Sequence, residues 1–177
     1  MKKLFVLILA VALLCACGKK EEKTIDKSAD AVTQLSQAFE IVGIRGDNLR
    51  VVSVRGANEI TFDVTFDYTF TVWDETDFVG KAMGAYVAYC EYVYAETQAK
   101  GITFYIYGGM TDANGNTTNQ KMFTMSMPRA QFMTFNWENL YSLDGTYSQI
   151  EKACTELFIA PGVRNAVNFS KVHLTEP

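Results

Sequence analysis

The chain is short of histidine, proline and basic charge. One His in 177 residues leaves no pair of imidazoles for a metal centre, and His173 stands close to the end of the sequence, where chains fray. Sixteen Lys and Arg against 20 Asp and Glu give a formal charge of −4. That balance argues against nucleic acid, whose binding draws on cations that neutralise phosphates. The longest apolar run, Leu4 to Leu14, is 11 residues, well short of the ~20 that span a bilayer. G-x-S-x-G, H-E-x-x-H and phosphate-cradling glycine patterns are all missing, so no enzyme class and no cofactor are indicated. Only a glycan hydrolase built on two carboxylates stays open, because separation in space decides it. With 49% hydrophobic and 20% charged residues, the chain is nonetheless a folding one, and its length suits a single domain.

The apolar run has the length of a signal-peptide h-region and follows the basic start Met1-Lys2-Lys3. It closes on Leu14-Cys15-Ala16-Cys17-Gly18. This resembles the lipobox of bacterial lipoproteins, with Leu14 three residues before the modified cysteine, Ala16 just before it, and Cys17 as the lipidation site. The alternative is an ordinary secretory signal ending at an A-x-A-like site. The resemblance covers about the first 18 residues and implies removal of residues 1–16, with a diacylglycerol thioether and an N-acyl chain such as palmitate on Cys17. Two or three acyl chains make a stable membrane anchor. Gly18, in place of the aspartate that signals inner-membrane retention, implies the outer membrane, facing the periplasm (the cell membrane if the source has no outer membrane). Cleavage removes Lys2 and Lys3 and takes the formal charge to −6. Residues 17–27 then read as the lipidated cysteine and a polar tether spanning roughly 17 Å r.m.s., and 28–177 as one globular domain.

Two cysteines remain. In an exported domain, Cys90 and Cys154 read as one disulfide, closing a loop of about 65 residues worth on the order of 4 kcal/mol. Two buried free thiols are the other option. A metal pair is disfavoured, because no C-x-x-C is present.

The pattern of the mature chain is α+β: an antiparallel sheet of four to five strands covered on one face by helices, one of them long and central. Ser28 to Val42 predicts a helix capped by Ser28 and stopped by Gly43. From Ile60 to Val72 every even position is apolar and every odd position is Thr or Asp, a strand with one dry and one wet face. Thr76 to Lys100 predicts the central helix, apolar over more than half its circumference. Strands are expected at 49–55, 102–107 and 121–127, with a polar hairpin between the last two. Ser148-Gln-Ile-Glu151 matches a capping box for a helix to about Phe158, and 165–174 suggests an edge strand.

Two surfaces are candidate sites. Between Asn58 and Glu96 the sequence holds eight acids and one base. Asp63, Asp67, Asp74, Glu75 and Asp77 form a candidate acidic face for a basic protein partner, against the plainer reading of a solvated face with acids at a helix N-terminus. Tyr86, Tyr89 and Tyr92 are a candidate aromatic groove for a glycan or small ligand, against the plainer reading of core. No metal site is expected. Together these point to a lipid-anchored accessory or assembly component of the envelope that binds another protein. A ligand-binding lipoprotein and an inhibitor of a basic enzyme are the alternatives.

Overall fold

A computed structural model describes residues 23–55, 60–111, 114–141 and 143–176. The signal segment, Cys17, residues 17–22 of the expected tether, Asn58, Glu59 and Asp112 lie outside them. The elements run α1 (Ala31–Val42), β1 (Gly46–Arg55), β2 (Ile60–Tyr68), α2 (Glu75–Glu96), β3 (Gly101–Thr111) and β4 (Thr117–Pro128). They continue with α3 (Arg129–Phe132), α4 (Trp137–Tyr141), α5 (Tyr147–Ala153), β5 (Glu156–Ile159) and α6 (Pro161–Arg164). The strands form one sheet in the order β1-β2-β3-β4-β5. This is an α+β fold.

The alternation in β2 works as expected. Phe62, Val64 and Phe66 are buried, while Thr61, Asp63, Thr65 and Asp67 lie half-exposed on the other face. The buried row meets aromatic side chains of the helices: Phe39 packs edge-on to Phe66 at 4.8 Å, and Tyr86 edge-on to Phe104 of β3 at 5.4 Å. The strand ends at Tyr68 although the apolar spacing runs on to Val72. Phe70 leaves the sheet to pack with Tyr68 and Phe78, so its apolar character serves the start of α2 instead of a strand. The sheet is also not wholly antiparallel. β2 and β3 run parallel, in register from Thr61↔Gly101 to Asp67↔Tyr107, because α2 carries the chain back to the end where β2 began.

Helix α2 is capped by Asp74, whose side chain accepts from the Asp77 amide, with Glu75 and Asp77 in its first turn. It stops at Thr97, short of Gly101, where Arg129 donates to the Tyr94 carbonyl, which the helix end leaves unpaired, and to those of Thr97 and Ala99 just beyond it. Its burial extends nearly all round, because sheet, α1, Tyr141 and the C-terminal segment each cover a side. Gly80 and Gly84 make the last contact possible. A Cβ at Gly84 would overlap the carbonyl oxygen of Thr175, and one at Gly80 that of His173. Residues 165–174 are therefore a strap over α2, not the expected edge strand, and they bury Val172 and Leu174.

The edge strand is β5, in a stretch whose periodicity suggested the end of a helix. α5 begins after Thr146, without a side-chain cap bond, and ends at Cys154. The expected capping box does not form, because Glu151 accepts from the Tyr147 hydroxyl at 2.9 Å instead. Leu157 and Phe158 pair with Met125 and Thr124 of β4. α1 is capped by Asp30, which accepts from the Thr33 amide, and is stopped as expected by Gly43 at φ 79°. The last residues of the polar stretch expected as a tether are docked on the domain. Ile25 is buried, and the Lys27 ammonium lies 2.5 Å from the Glu96 carboxylate at the far end of α2. Cys90 and Cys154 are both free thiols in the structure, so the expected bridge is not formed. Cys90 is fully buried, and Cys154 half-buried at the end of α5. Burial raises both thiol pKa values, that of Cys154 to about 12.

Candidate functional site

The five expected acidic residues do not form one face. Asp63 sits on the open side of the sheet, beside Val52 of β1 and Thr103 of β3. Partial burial, and then the Glu156 carboxylate, hold its pKa above the usual carboxylate value. Asp67 accepts from Asn119 at 2.9 Å and from Asn48 at 2.6 Å; these hydrogen bonds hold its pKa down. Both its oxygens are engaged within the chain. Across the same open face, Lys121 lies 4.7 Å from the Phe158 ring and 5.7 Å from that of Tyr105.

The other three acids gather at the start of α2, around a residue that sequence reasoning passed over. Trp73 is 90% exposed, the most exposed large hydrophobic side chain among the described residues. Its backbone is nonetheless held. The Trp73 amide donates to Asp77 Oδ2 at 2.9 Å, and Lys81 Nζ donates to the same oxygen at 2.9 Å and to the Thr71 carbonyl at 2.5 Å. Asp77 and Lys81, one turn apart on α2, thus clamp the loop from both sides. Asp74 and Glu75 stand exposed beside the indole.

A depression of about 520 Å³ opens next to Trp73, lined by Asp74, Glu75, Tyr68, Phe78, Met110, Thr111 and Met122, with Gly109, Gly162 and Val163. Gly108 allows this wall to close up, since a Cβ there would run into the Tyr68 ring. The corner therefore combines an exposed indole on a held backbone, a recess with two methionines, and a rim of carboxylates. Chemically it suits an apolar or aromatic group flanked by cations. The sequence signal was there in Trp73-Asp74-Glu75, an aromatic residue at the mouth of an acidic helix cap.

The expected tyrosine groove is not a groove. Tyr86 and Tyr89 are completely buried. The Tyr86 hydroxyl donates to the Ile102 carbonyl at 3.0 Å and accepts from the Met127 amide at 2.8 Å, and the Tyr89 hydroxyl donates to the Leu35 carbonyl at 2.8 Å. Tyr92 is half-buried. A second depression, of about 530 Å³, lies between α2 and α4, but its Phe132, Tyr94 and Trp137 are nearly fully covered, and the Trp137 indole N–H is spent on the Phe132 carbonyl. The exposed His173 stands 3.8 Å from Asp144. Among the described residues, no three His, Cys, Asp or Glu side chains are grouped to hold a metal, and no helix is long and apolar enough to cross a membrane. No protein-family model, no curated protein and no solved structure matches this chain.

Proposed function

We propose that this protein is a lipid-anchored envelope lipoprotein that binds another protein through the Trp73 corner. The observation that carries the reading is Trp73 itself: its indole is 90% exposed, on a backbone held by the Asp77–Lys81 clamp. Tryptophan is enriched among the residues that carry the energetics of protein interfaces, and a backbone already held in place loses little conformational freedom on binding. The carboxylates of Asp74 and Glu75 select a partner with cationic groups around an apolar or aromatic contact, and they disfavour approach to an anionic lipid surface. The anchor on Cys17 supplies the location, and the domain supplies the docking surface. An inhibitor of a basic enzyme is the narrower form of the same reading.

Affinity capture from chemically crosslinked envelopes tests it, with wild type, Trp73→Ala and Glu75→Lys compared side by side. The expected result is a protein partner recovered with wild type and lost with both variants, while circular dichroism of all three is unchanged. Equal recovery with all three would remove the corner from the account. Retention of a soluble sugar through Trp73, with no protein captured, would favour the ligand-binding alternative.

A further inference from the structure

The two ends of α2 have different surroundings, and the chain enters at one of them. Residues 23–27 dock at the C-terminal end: Ile25 is buried, and Lys27 donates to both the backbone carbonyl and the carboxylate of Glu96. Eight residue steps lead from Cys17 to Ile25, a length that reaches at most about 29 Å. At this same end β2 starts, β3 starts and β4 stops, with Thr61, Gly101 and Pro128 in register. The surface there exposes Ile60 (48%) and Val54 (41%). Lys100, whose amide donates to the Ile60 carbonyl at 3.1 Å, is exposed beside Ile60; Lys23 is exposed on the entering chain, as are Asp26 and Glu96 at the same end. The Trp73 corner lies at the opposite end, 22 helical residues away, about 33 Å at 1.5 Å per residue.

We propose that the end of the domain bearing Val54, Ile60, Lys100 and Lys23 seats on the phospholipid surface, so that α2 points the Trp73 corner away from the bilayer. The inference rests on lipidation of Cys17. A tether this short keeps the entry end within reach of the headgroups. Exposed aliphatic side chains with a lysine at their edge suit contact with the headgroup interface, where the stem packs and the ammonium meets phosphate. The acidic corner, which anionic headgroups would repel, is carried to the far side. A partner is then met at a height above the membrane set by the length of α2.

The chain's two tryptophans report on the two ends. Trp137, in α4 after the strand end at Pro128, is near the entry end, and Trp73 is far from it. The lipoprotein is purified from bacterial membranes and reconstituted in phosphatidylethanolamine–phosphatidylglycerol vesicles containing a dansyl-headgroup lipid as energy acceptor. In the Trp73→Phe variant, which keeps only Trp137, dansyl lipid is expected to quench a larger fraction of donor emission than in wild type. Ile60→Asp combined with Lys100→Glu, both at exposed positions, is expected to reduce that quenching. Quenching in Trp73→Phe equal to or below that of wild type would overturn the orientation, and quenching unaffected by the double substitution would overturn the lipid contact. Flotation of a Cys17→Ser variant separates the two premises. Mass spectrometry of the wild-type N-terminus belongs with it: a chain that still begins at Met1, or an unmodified Cys17, fails the lipidation reading, whatever the orientation.

Discussion

Replacing Gly84 by Ala sets two effects of opposite sign against each other. Inside a helix, Ala is better than Gly by about 1 kcal/mol, so propensity alone predicts a more stable protein. In this fold the added methyl group would overlap the Thr175 carbonyl oxygen and lie 2.8 Å from its carbonyl carbon. Those are backbone atoms, with no flexible side chain to swing aside. Releasing the strap would expose Val172 and Leu174, together worth about 3–6 kcal/mol of burial at 1.5–3 kcal/mol each. Keeping it in place forces an overpacked contact at about 1–3 kcal/mol, and a rigid backbone neighbour puts the cost near the top of that range. The cheaper response governs, so the net effect is a loss of about 2 kcal/mol after subtracting the propensity gain. Urea unfolding followed by circular dichroism measures it. The decisive comparison repeats the substitution in a chain lacking residues 174–177, where the obstacle is gone and Ala should become neutral or stabilising. A full-length Gly84→Ala protein as stable as wild type would refute the strap contact.

Three further outcomes follow from buried and half-buried groups. Tyr86→Phe strips the Met127 amide of its 2.8 Å acceptor in a dry site and should cost about 1–3 kcal/mol in the same unfolding assay; Tyr92→Phe, at a half-buried position, should cost less. Cys90 and Cys154 should both titrate with a thiol reagent once the non-reduced protein is unfolded, and should react slowly in the native state because burial disfavours the thiolate; no titratable thiol would show the pair bridged. Asp63 is raised by burial and by Glu156, so its ionised form opposes folding. Its contribution is favourable at low pH and lost as pH rises through its raised pKa. Asp63→Asn should therefore raise the unfolding midpoint at pH 7, and the gain should fade on acidification.

How far the sequence spoke depended on whether a residue's role was local. The alternation over Ile60 to Tyr68 and the acids opening α2 were legible, because side-chain period and helix capping are written within a few residues. Leu157 and Phe158 were not, since their strand conformation comes from pairing with β4, some thirty residues earlier in the chain. Nor was the parallel pairing of β2 with β3, which is decided by how α2 crosses the sheet. The role of Gly80 and Gly84 was not legible either, because the strap they admit comes some ninety residues later in the chain. Among the site residues, Asp74, Glu75 and Asp77 were singled out for their charge, while Trp73 beside them was not: an exposed indole and a core indole look the same in one dimension. Tyr86 and Tyr89 met the opposite fate, chosen for a groove and found satisfied inside the core.

A protein partner docked at the corner at the start of α2 would lie within a few ångströms of Glu75 and far from Ile60. Site-specific photocrosslinking in intact cells tests that placement most directly, with a photoreactive residue placed at position 75, beside the indole, or at position 60, on the opposite end. The expected result is a protein adduct from position 75 that disappears when Trp73 is changed to Ala, and none from position 60. A protein adduct from position 60 with none from position 75 would contradict it.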